Sequence, residues 1–277
     1  MAFVVLTSAT CFGAAVACGL DVVGDATSSG LDSGVDSDRP EASLPPTGDD
    51  AGPPVDSGTD VEDVVHTCPS GLPGSPMVPA PDGSFCIDAF EVSSGEYAEF
   101  VAATATDAGQ IDFADRPWCS ADAGFAPSNS ASSPTQPVMY VSYCDAYAYC
   151  RWAGKHLCTG QEQTGEWPRA CTNDLTRKWP YGDAVDAGAC NVNKNTVPFT
   201  HAEGGAYPEC VGGYDGLYDM IGNVAEWVDE CTDAGAACTI MGGAWNSNLM
   251  VDCDHREQAS PTYKTTSFYG VGFRCCL

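Results

Sequence analysis

The sequence predicts an α+β domain that has much irregular backbone and is held together by disulfide bonds. Three observations favour this fold class. Three segments carry the capping signals or the spacing of helices, the rest of the chain is rich in Gly, Asn and aromatic residues with only short strand-like runs, and fourteen cysteines follow residue 67. Apolar residues make up 44% of the chain, which is enough to build a sizeable core.

Two capping boxes predict the first two helices. Ser93 and Glu96 form the first box, and Ser142 and Asp145 form the second. Residues at helical spacing follow each box: Tyr97, Phe100, Val101 and Thr104 in the first helix, and Ala146, Tyr149, Cys150 and Ala153 in the second. Gly154 then supplies a stop for the second helix.

A third helix is predicted within residues 161–170, with Trp167 facing inward and Pro168 interfering with its limits. The run from Val138 to Val141 predicts a short strand.

The cysteines predict a disulfide framework in an oxidising compartment, and their even number allows seven bonds. Two close pairs bracket turn-forming loops, Cys68 with Cys86 and Cys231 with Cys238. The adjacent Cys275 and Cys276 are too close to bond each other and are expected to bond different partners. A zinc site is the alternative, but no C-x-x-C pair occurs and the four histidines are scattered.

The charge of the chain excludes two classes of partner. With 38 acidic and 11 basic residues the net charge is −27, which leaves too little positive charge to bind nucleic acid or anionic lipid head groups.

The first 18 residues have the apolar, small-residue composition of a signal peptide or lipoprotein leader, although the usual positive start is missing. Ala15-Val16-Ala17-Cys18 is similar to a loose bacterial lipobox, so we expect a lipid anchor on Cys18. The alternative is plain secretion after cleavage near Ala17. Either way we expect an exported protein, a bacterial-type cell-envelope lipoprotein or a secreted one.

The composition of residues 19–67, which are acidic and rich in Gly, Ser and Pro, predicts a disordered tether. Arg39 is the single basic residue among them, and they include no aromatic residue. Such a segment cannot bury enough apolar surface to offset its ordering entropy. The folded domain is therefore predicted to occupy residues 68–277.

Several phrases of this domain follow one another in a characteristic order. They are Glu91-Val92-Ser93 before the first helix, Trp152-Ala153-Gly154-Lys155-His156-Leu157 after the second, Gly216-Leu217-Tyr218-Asp219-Met220-Ile221-Gly222-Asn223-Val224-Ala225-Glu226-Trp227, Gly242-Gly243-Ala244-Trp245, and Gly272-Phe273-Arg274 near the end. This string resembles the sulfatase-modifying-factor domain of the formylglycine-generating enzyme family, over roughly residues 84–277. The resemblance implies a variant C-type-lectin-like fold.

The resemblance also implies copper chemistry. In the family's oxidases, two cysteines in a C-x4-C arrangement bind copper(I) shortly before G-F-R and convert a protein cysteine to formylglycine. Here Cys253 is the only catalytic candidate, because Glu257 or Gln258 takes the second place. Copper(I) is soft and prefers two thiolates, so the copper site is incomplete. His255 is a weaker candidate for a replacement ligand.

A calcium site is the second implication of the resemblance. Its ligands would be the side chains of Asp219 and Glu226 and the carbonyls of Gly222 and Val224, which are the hard oxygens that calcium prefers. The alternative is that Asp219 and Glu226 only cap turns. A second calcium site of the family, after Asn191, would need a longer loop than this sequence has.

The sequence leaves two main hypotheses of function. One is an exported, surface-tethered domain that binds an unknown protein or small ligand, or has altered chemistry, since the copper pair is incomplete. The alternative is a sulfatase-modifying oxidase, which rests on family resemblance alone. A structural protein of the cell envelope is a third, weaker hypothesis.

Overall fold

The computed structural model describes residues 66–106, 111–121, 124–129, 133–192, 200–248, 250–264 and 270–277. The predicted leader lies outside these ranges, as do all but the last two residues of the predicted tether and the loop 193–199 after Asn191. Within the described ranges, no helix combines the length and apolar character needed to cross a membrane.

Two of the helices begin where the sequence predicts. Helix α1 spans Ser94–Thr104 and helix α2 spans Tyr143–Trp152, and both predicted capping boxes are formed. The Ser93 hydroxyl accepts the N–H of Glu96 while the Glu96 carboxylate accepts the N–H of Ser93. Ser142 and Asp145 repeat this exchange. The two helix predictions are therefore confirmed.

The third helix is shorter and starts later than predicted. Helix α3 spans Glu166–Thr172, whereas Gln161 and Gly165 form a turn closed by a 2.8 Å backbone hydrogen bond. Thr159 fixes the start, because its hydroxyl accepts the Glu166 N–H at 2.9 Å and its own N–H donates to the Glu166 carboxylate. Trp167 is fully buried, as predicted.

In the part of the chain that the structure describes, eight short strands form two sheets. Their bounds are β1 Met77–Pro79, β2 Cys86–Asp88, β3 His156–Leu157, β4 Ala225–Cys231, β5 Cys238–Met241, β6 Arg256–Ala259, β7 Val271–Phe273 and β8 Cys275–Cys276. The first sheet has the order β1-β2-β8-β3 and the second has the order β6-β5-β4-β7. The β4–β7 pair is parallel, and it places β7 at one edge of the second sheet.

The strand expected at Val138–Val141 is absent, so that prediction was wrong. Tyr140 has a positive φ of 60°, which breaks an extended run. The segment connects α1 to α2 and is largely buried, because its apolar side chains fill the core without pairing in a sheet.

Seven disulfides connect all fourteen cysteines from Cys68 onward. Cys68–Cys86 and Cys231–Cys238 close the two loops that the spacing predicts. Cys275 bonds Cys150 and Cys276 bonds Cys158, so the adjacent cysteines take different partners, as expected. The remaining bonds are Cys119–Cys144, Cys171–Cys253 and Cys190–Cys210. The C-terminal strand is thereby fixed to both α2 and β3.

Candidate functional site

Glu226 and Arg274 form a buried ion pair beside the parallel strands β4 and β7. Glu226 lies opposite Gly272 in this register, so Arg274, which follows β7, is brought next to it. Arg274 Nε and Nη2 donate to both carboxylate oxygens at 2.8–3.0 Å, and the two side chains are at most 1% exposed. Trp167 Nε1 donates to the same carboxylate at 2.8 Å. Each Glu226 oxygen therefore already accepts two hydrogen bonds.

The other N–H groups of Arg274 hold two distant chain segments in place. Nη1 donates to the Asp88 carbonyl at 3.0 Å, and Nη2 donates to the Tyr218 carbonyl at 2.9 Å. Arg274 thus connects strand β2, the loop before β4 and the C-terminal segment through one guanidinium group.

The loop that leads into β4 has an unusual backbone. Asp219, Gly222 and Asn223 all have positive φ values, of 57°, 77° and 48°. A Cβ atom on Gly222 would lie 2.5 Å from the Asn191 carbonyl oxygen, so only glycine fits at this close approach. The loop therefore reverses sharply while remaining packed against the segment at Asn191.

Glu91 and Asp219 add two further carboxylates to this buried site. Glu91 accepts hydrogen bonds from Asn223 Nδ2 at 3.0 Å and from the Val224 N–H at 3.2 Å. Asp219 Oδ2 accepts the Gly205 N–H at 2.7 Å. Both side chains are buried, as is that of Glu226. Three buried carboxylates thus lie in one region of the site. Arg274 is hydrogen-bonded to Glu226, and its positive charge also acts on Glu91 and Asp219.

The excess of negative charge changes the protonation of this site. Burial raises the pKa of Glu91 well above its usual range, and the charges of Asp219 and Glu226 raise it further. Burial also raises the pKa of Asp219 to about 6, against the opposing effects of the Gly205 N–H and Arg274. A proton or an additional cation would therefore stabilise the site.

Cys253 lies outside this cluster and is bonded to Cys171. Both cysteines are fully buried. A disulfide sulfur is neither a thiolate ligand nor a nucleophile. Cys253 therefore belongs to the disulfide framework that the sequence predicts and has no free thiol for catalysis.

The three residues near Cys253 that concern the copper site are partly or fully exposed. Glu257 and Gln258 belong to β6 and are exposed. His255 Nε2 pairs with the Glu257 carboxylate at 3.2 Å.

The family model of the sulfatase-modifying factor enzyme 1-like domain matches residues 72–277. The chain belongs to the sulfatase-modifying factor family.

Relatives within this family carry different names. A formylglycine-generating enzyme of Thermomonospora curvata is 31% identical over 251 residues, covering 69% of this chain and 81% of the relative. A Bos taurus protein named inactive C-alpha-formylglycine-generating enzyme 2 is 30% identical over 154 residues, covering 50% of this chain and 49% of the relative. The percentage identity to these two relatives is thus nearly the same, whereas the match to the one named for the activity covers more of both chains.

A solved structure supports the fold. PvdO from Pseudomonas aeruginosa matches with a TM-score of 0.50 at 23% identity, covering 74% of this chain and 90% of that one. The predicted α+β class with the formylglycine-generating-enzyme variant of the C-type-lectin-like fold is confirmed.

The four calcium ligands implied by the family lie in one continuous segment, from Asp219 to Glu226. The Glu226 carboxylate is already engaged by Arg274 and Trp167, so a calcium ion would have to share it. Within the described ranges, no group of three or more His, Cys, Asp or Glu side chains is arranged as a metal site. Asp219 and the carbonyls of Gly222 and Val224 are the oxygens that fit calcium best, and its binding here stays a prediction.

Sequence reasoning missed Glu91, Asp88 and Arg274 as parts of this buried network. Two of them stand within the family phrases, but nothing local distinguishes a buried charged residue from a solvated one. Their burial depends on contacts between residues far apart in the chain; Arg274 and Asp88, for example, are separated by 186 positions.

Proposed function

We propose that this protein is an exported, surface-tethered member of the family that binds another molecule or carries out altered chemistry. In this proposal it does not use cysteine-bound copper to oxidise a protein cysteine. The observation that carries the proposal is the state of the cysteines, since all fourteen from Cys68 onward are bonded in pairs.

The chemical argument concerns copper(I). A pair of thiolates suits this soft ion, whereas the carboxylate of Glu257 and the amide of Gln258 suit hard ions. Freeing the thiol of Cys253 would require reduction of the buried Cys171–Cys253 bond. The second thiol released would then be that of Cys171 on α3, and not one at the C-x4-C position that Glu257 or Gln258 occupies. Disulfides also suit an exported protein, because they persist in oxidising compartments.

Family membership supports the oxidase as the second candidate. The Thermomonospora curvata relative is named a formylglycine-generating enzyme and is 31% identical. The relative named inactive is 30% identical, however, so the percentage identity does not favour either function.

The test is an aldehyde assay. The full-length protein, loaded with copper, is incubated with a Cys-x-Pro-x-Arg peptide, and aldehyde is trapped as an oxime and measured by mass spectrometry. The Thermomonospora curvata relative serves as the comparison enzyme. We expect no aldehyde from this protein. Aldehyde that disappears in Cys253→Ser would restore the oxidase, and aldehyde that persists in this variant would place an oxidase activity elsewhere in the chain.

A further inference from the structure

A groove runs along one face of helix α1, and its described lining includes none of the buried carboxylates and neither cysteine of the Cys171–Cys253 bond. We infer that this α1 groove is a binding site for an uncharged, mainly apolar small molecule. The inference deepens the proposed binding function and rests on it, since it supplies the ligand class that such a function needs. The groove is lined chiefly by Tyr97, Ala98, Val101, Ala102, Pro134 and Val138.

The groove forms because α1 presents two different faces. Tyr97, Phe100 and Thr104 are buried against the core. Ala98 and Ala102, one turn apart, are exposed and open the groove beside that face. The opposite wall approaches closely at the start of the helix, where the Gly95 N–H donates to the Pro134 carbonyl at 2.8 Å. The small alanine side chains thus leave space between two walls that are fixed to each other.

The volume of the groove fits a small molecule. It is about 540 Å³, within the range of roughly 300–1,000 Å³ that is typical of small-molecule sites. Polar residues follow the apolar lining on both sides. Glu99 is exposed on α1, and on the other side Thr135, which follows Pro134, donates a hydrogen bond from its hydroxyl to the Glu203 carboxylate at 2.6 Å. A protein partner would need a much larger continuous surface, roughly 800 Å² on each side.

The chemistry of the lining points to an uncharged ligand. Among the described residues that line the groove, none carries a charge. A charged ligand would therefore lose its hydration without gaining an opposite charge. An anionic ligand would in addition be repelled by a chain whose net charge is −27.

The polar groups at the groove already have partners, so the ligand is mainly apolar. The Tyr97 hydroxyl donates to the Phe125 carbonyl at 2.7 Å, and the Ser94 hydroxyl donates to the Pro137 carbonyl at 3.3 Å. The Ser133 hydroxyl shares a hydrogen bond with Thr135 at 2.9 Å. A ligand that needs many hydrogen bonds would find few donors here, whereas an aromatic or aliphatic group finds methyl, pyrrolidine and ring surfaces.

Two fluorescent probes and two matched variants test the inference. N-phenyl-1-naphthylamine is uncharged, and 8-anilinonaphthalene-1-sulfonate has a similar ring system with an added anionic group. Ala102 and Ala103 are neighbouring exposed alanines of α1, but only Ala102 lines the groove. Both probes are titrated into the full-length protein and into Ala102→Glu and Ala103→Glu, and folding is checked by the thermal unfolding curve.

We expect saturable binding of the uncharged probe at one site, and binding of the sulfonate weaker by at least about tenfold. Ala102→Glu should weaken binding of the uncharged probe by at least about tenfold, and Ala103→Glu should leave it unchanged within about twofold. If Ala102→Glu fails to fold, Ala98→Glu takes its place, since Ala98 lines the same groove.

Three outcomes would overturn the inference. They are no saturable binding to the native protein, equal binding to both glutamate variants, and equal affinity for the two probes. A dimer that separates in Ala102→Glu, seen by size-exclusion chromatography with light scattering, would show instead that a second copy of the chain occupies the groove. The aldehyde assay uses a different readout, so the groove and the proposed loss of oxidase activity can fail separately.

Discussion

Replacing Arg274 by Met removes the buried cation that pairs with Glu226 and whose charge also acts on the buried carboxylates of Glu91 and Asp219. Arg274 donates to both oxygens of Glu226 and to the carbonyls of Asp88 and Tyr218, and it is fully buried. Breaking a buried ion pair by removing one partner costs about 3–5 kcal/mol, because the remaining charge is left without compensation. For a domain of this size that corresponds to a loss of roughly 6–20 °C in Tm.

The assay is urea unfolding of the oxidised protein at pH 8, followed by tryptophan fluorescence, since Trp167 contacts the same carboxylate. Arg177→Met is the matched control, because Arg177 is exposed and makes one long hydrogen bond, at 3.4 Å, to the Pro180 carbonyl. It should change the free energy of unfolding by less than about 0.5 kcal/mol.

The destabilisation by Arg274→Met should be smaller at pH 5 than at pH 8. Burial and mutual repulsion raise the pKa values of Glu91 and Asp219, so protonation at the lower pH neutralises part of the uncompensated charge. If Arg274→Met lowers the free energy of unfolding by less than about 1 kcal/mol at pH 8, or by an amount that does not depend on pH, Arg274 does not hold the buried carboxylates together.

Three further predictions concern calcium, pH and anchoring. Calcium at one hundred times its Kd should stabilise the protein by about 2.7 kcal/mol, and Asp219→Asn should abolish this stabilisation in thermal unfolding. Equal stabilisation of both proteins would show that Asp219 is not a calcium ligand. Burial raises the pKa of Asp88 from 3.8 to about 6, so its stabilising contribution is complete below pH 3.8 and is lost as the pH rises through 6. The free energy of unfolding should therefore fall as the pH rises through this window. In Asp88→Asn, which also leaves Lys155 without its buried partner and so lowers the stability at every pH, urea unfolding should show that slope removed rather than retained. Cys18→Ser should move the protein from the membrane fraction to the soluble fraction, and unchanged fractionation would exclude Cys18 as the anchor.

Asp219 tests the calcium prediction better than Glu226 does. Removing the Glu226 carboxylate would leave Arg274 buried without its partner, which destabilises the protein whether or not calcium binds. The Asp219 carboxylate accepts a hydrogen bond from the Gly205 N–H and forms no ion pair with another described residue, so its replacement by Asn changes the charge while largely keeping the shape.

The parts of the fold that local sequence determines could be predicted. The capping boxes at Ser93 and Ser142 specify where α1 and α2 begin, because the exchange of hydrogen bonds involves residues three positions apart. Cys231 and Cys238 could be paired for the same reason, since a short turn brings them together. Helix α3 was placed less accurately, because its start depends on Thr159, seven residues before Glu166.

The parts that depend on distant contacts could not be predicted. Cys150–Cys275 joins residues 125 positions apart, and spacing alone gives no connectivity at that range. The prediction of a strand at Val138–Val141 was wrong because Tyr140 has a positive φ, although the composition of the run favours a strand. For the candidate site, the loop from Asp219 to Glu226 was located from the family phrase, whereas its engagement by Arg274 and Glu91 required the structure.

The free-thiol content of the native protein tests directly whether Cys253 has a thiol that could bind copper(I). The full-length protein is denatured without reductant, treated with iodoacetamide and analysed by peptide mass spectrometry, and a reduced sample provides the control in which every cysteine is alkylated. The account predicts that none of the fourteen cysteines from Cys68 to Cys276 is alkylated, and that a Cys171–Cys253 linked peptide is recovered. Alkylated Cys253 in a protein that also binds copper(I) would contradict it.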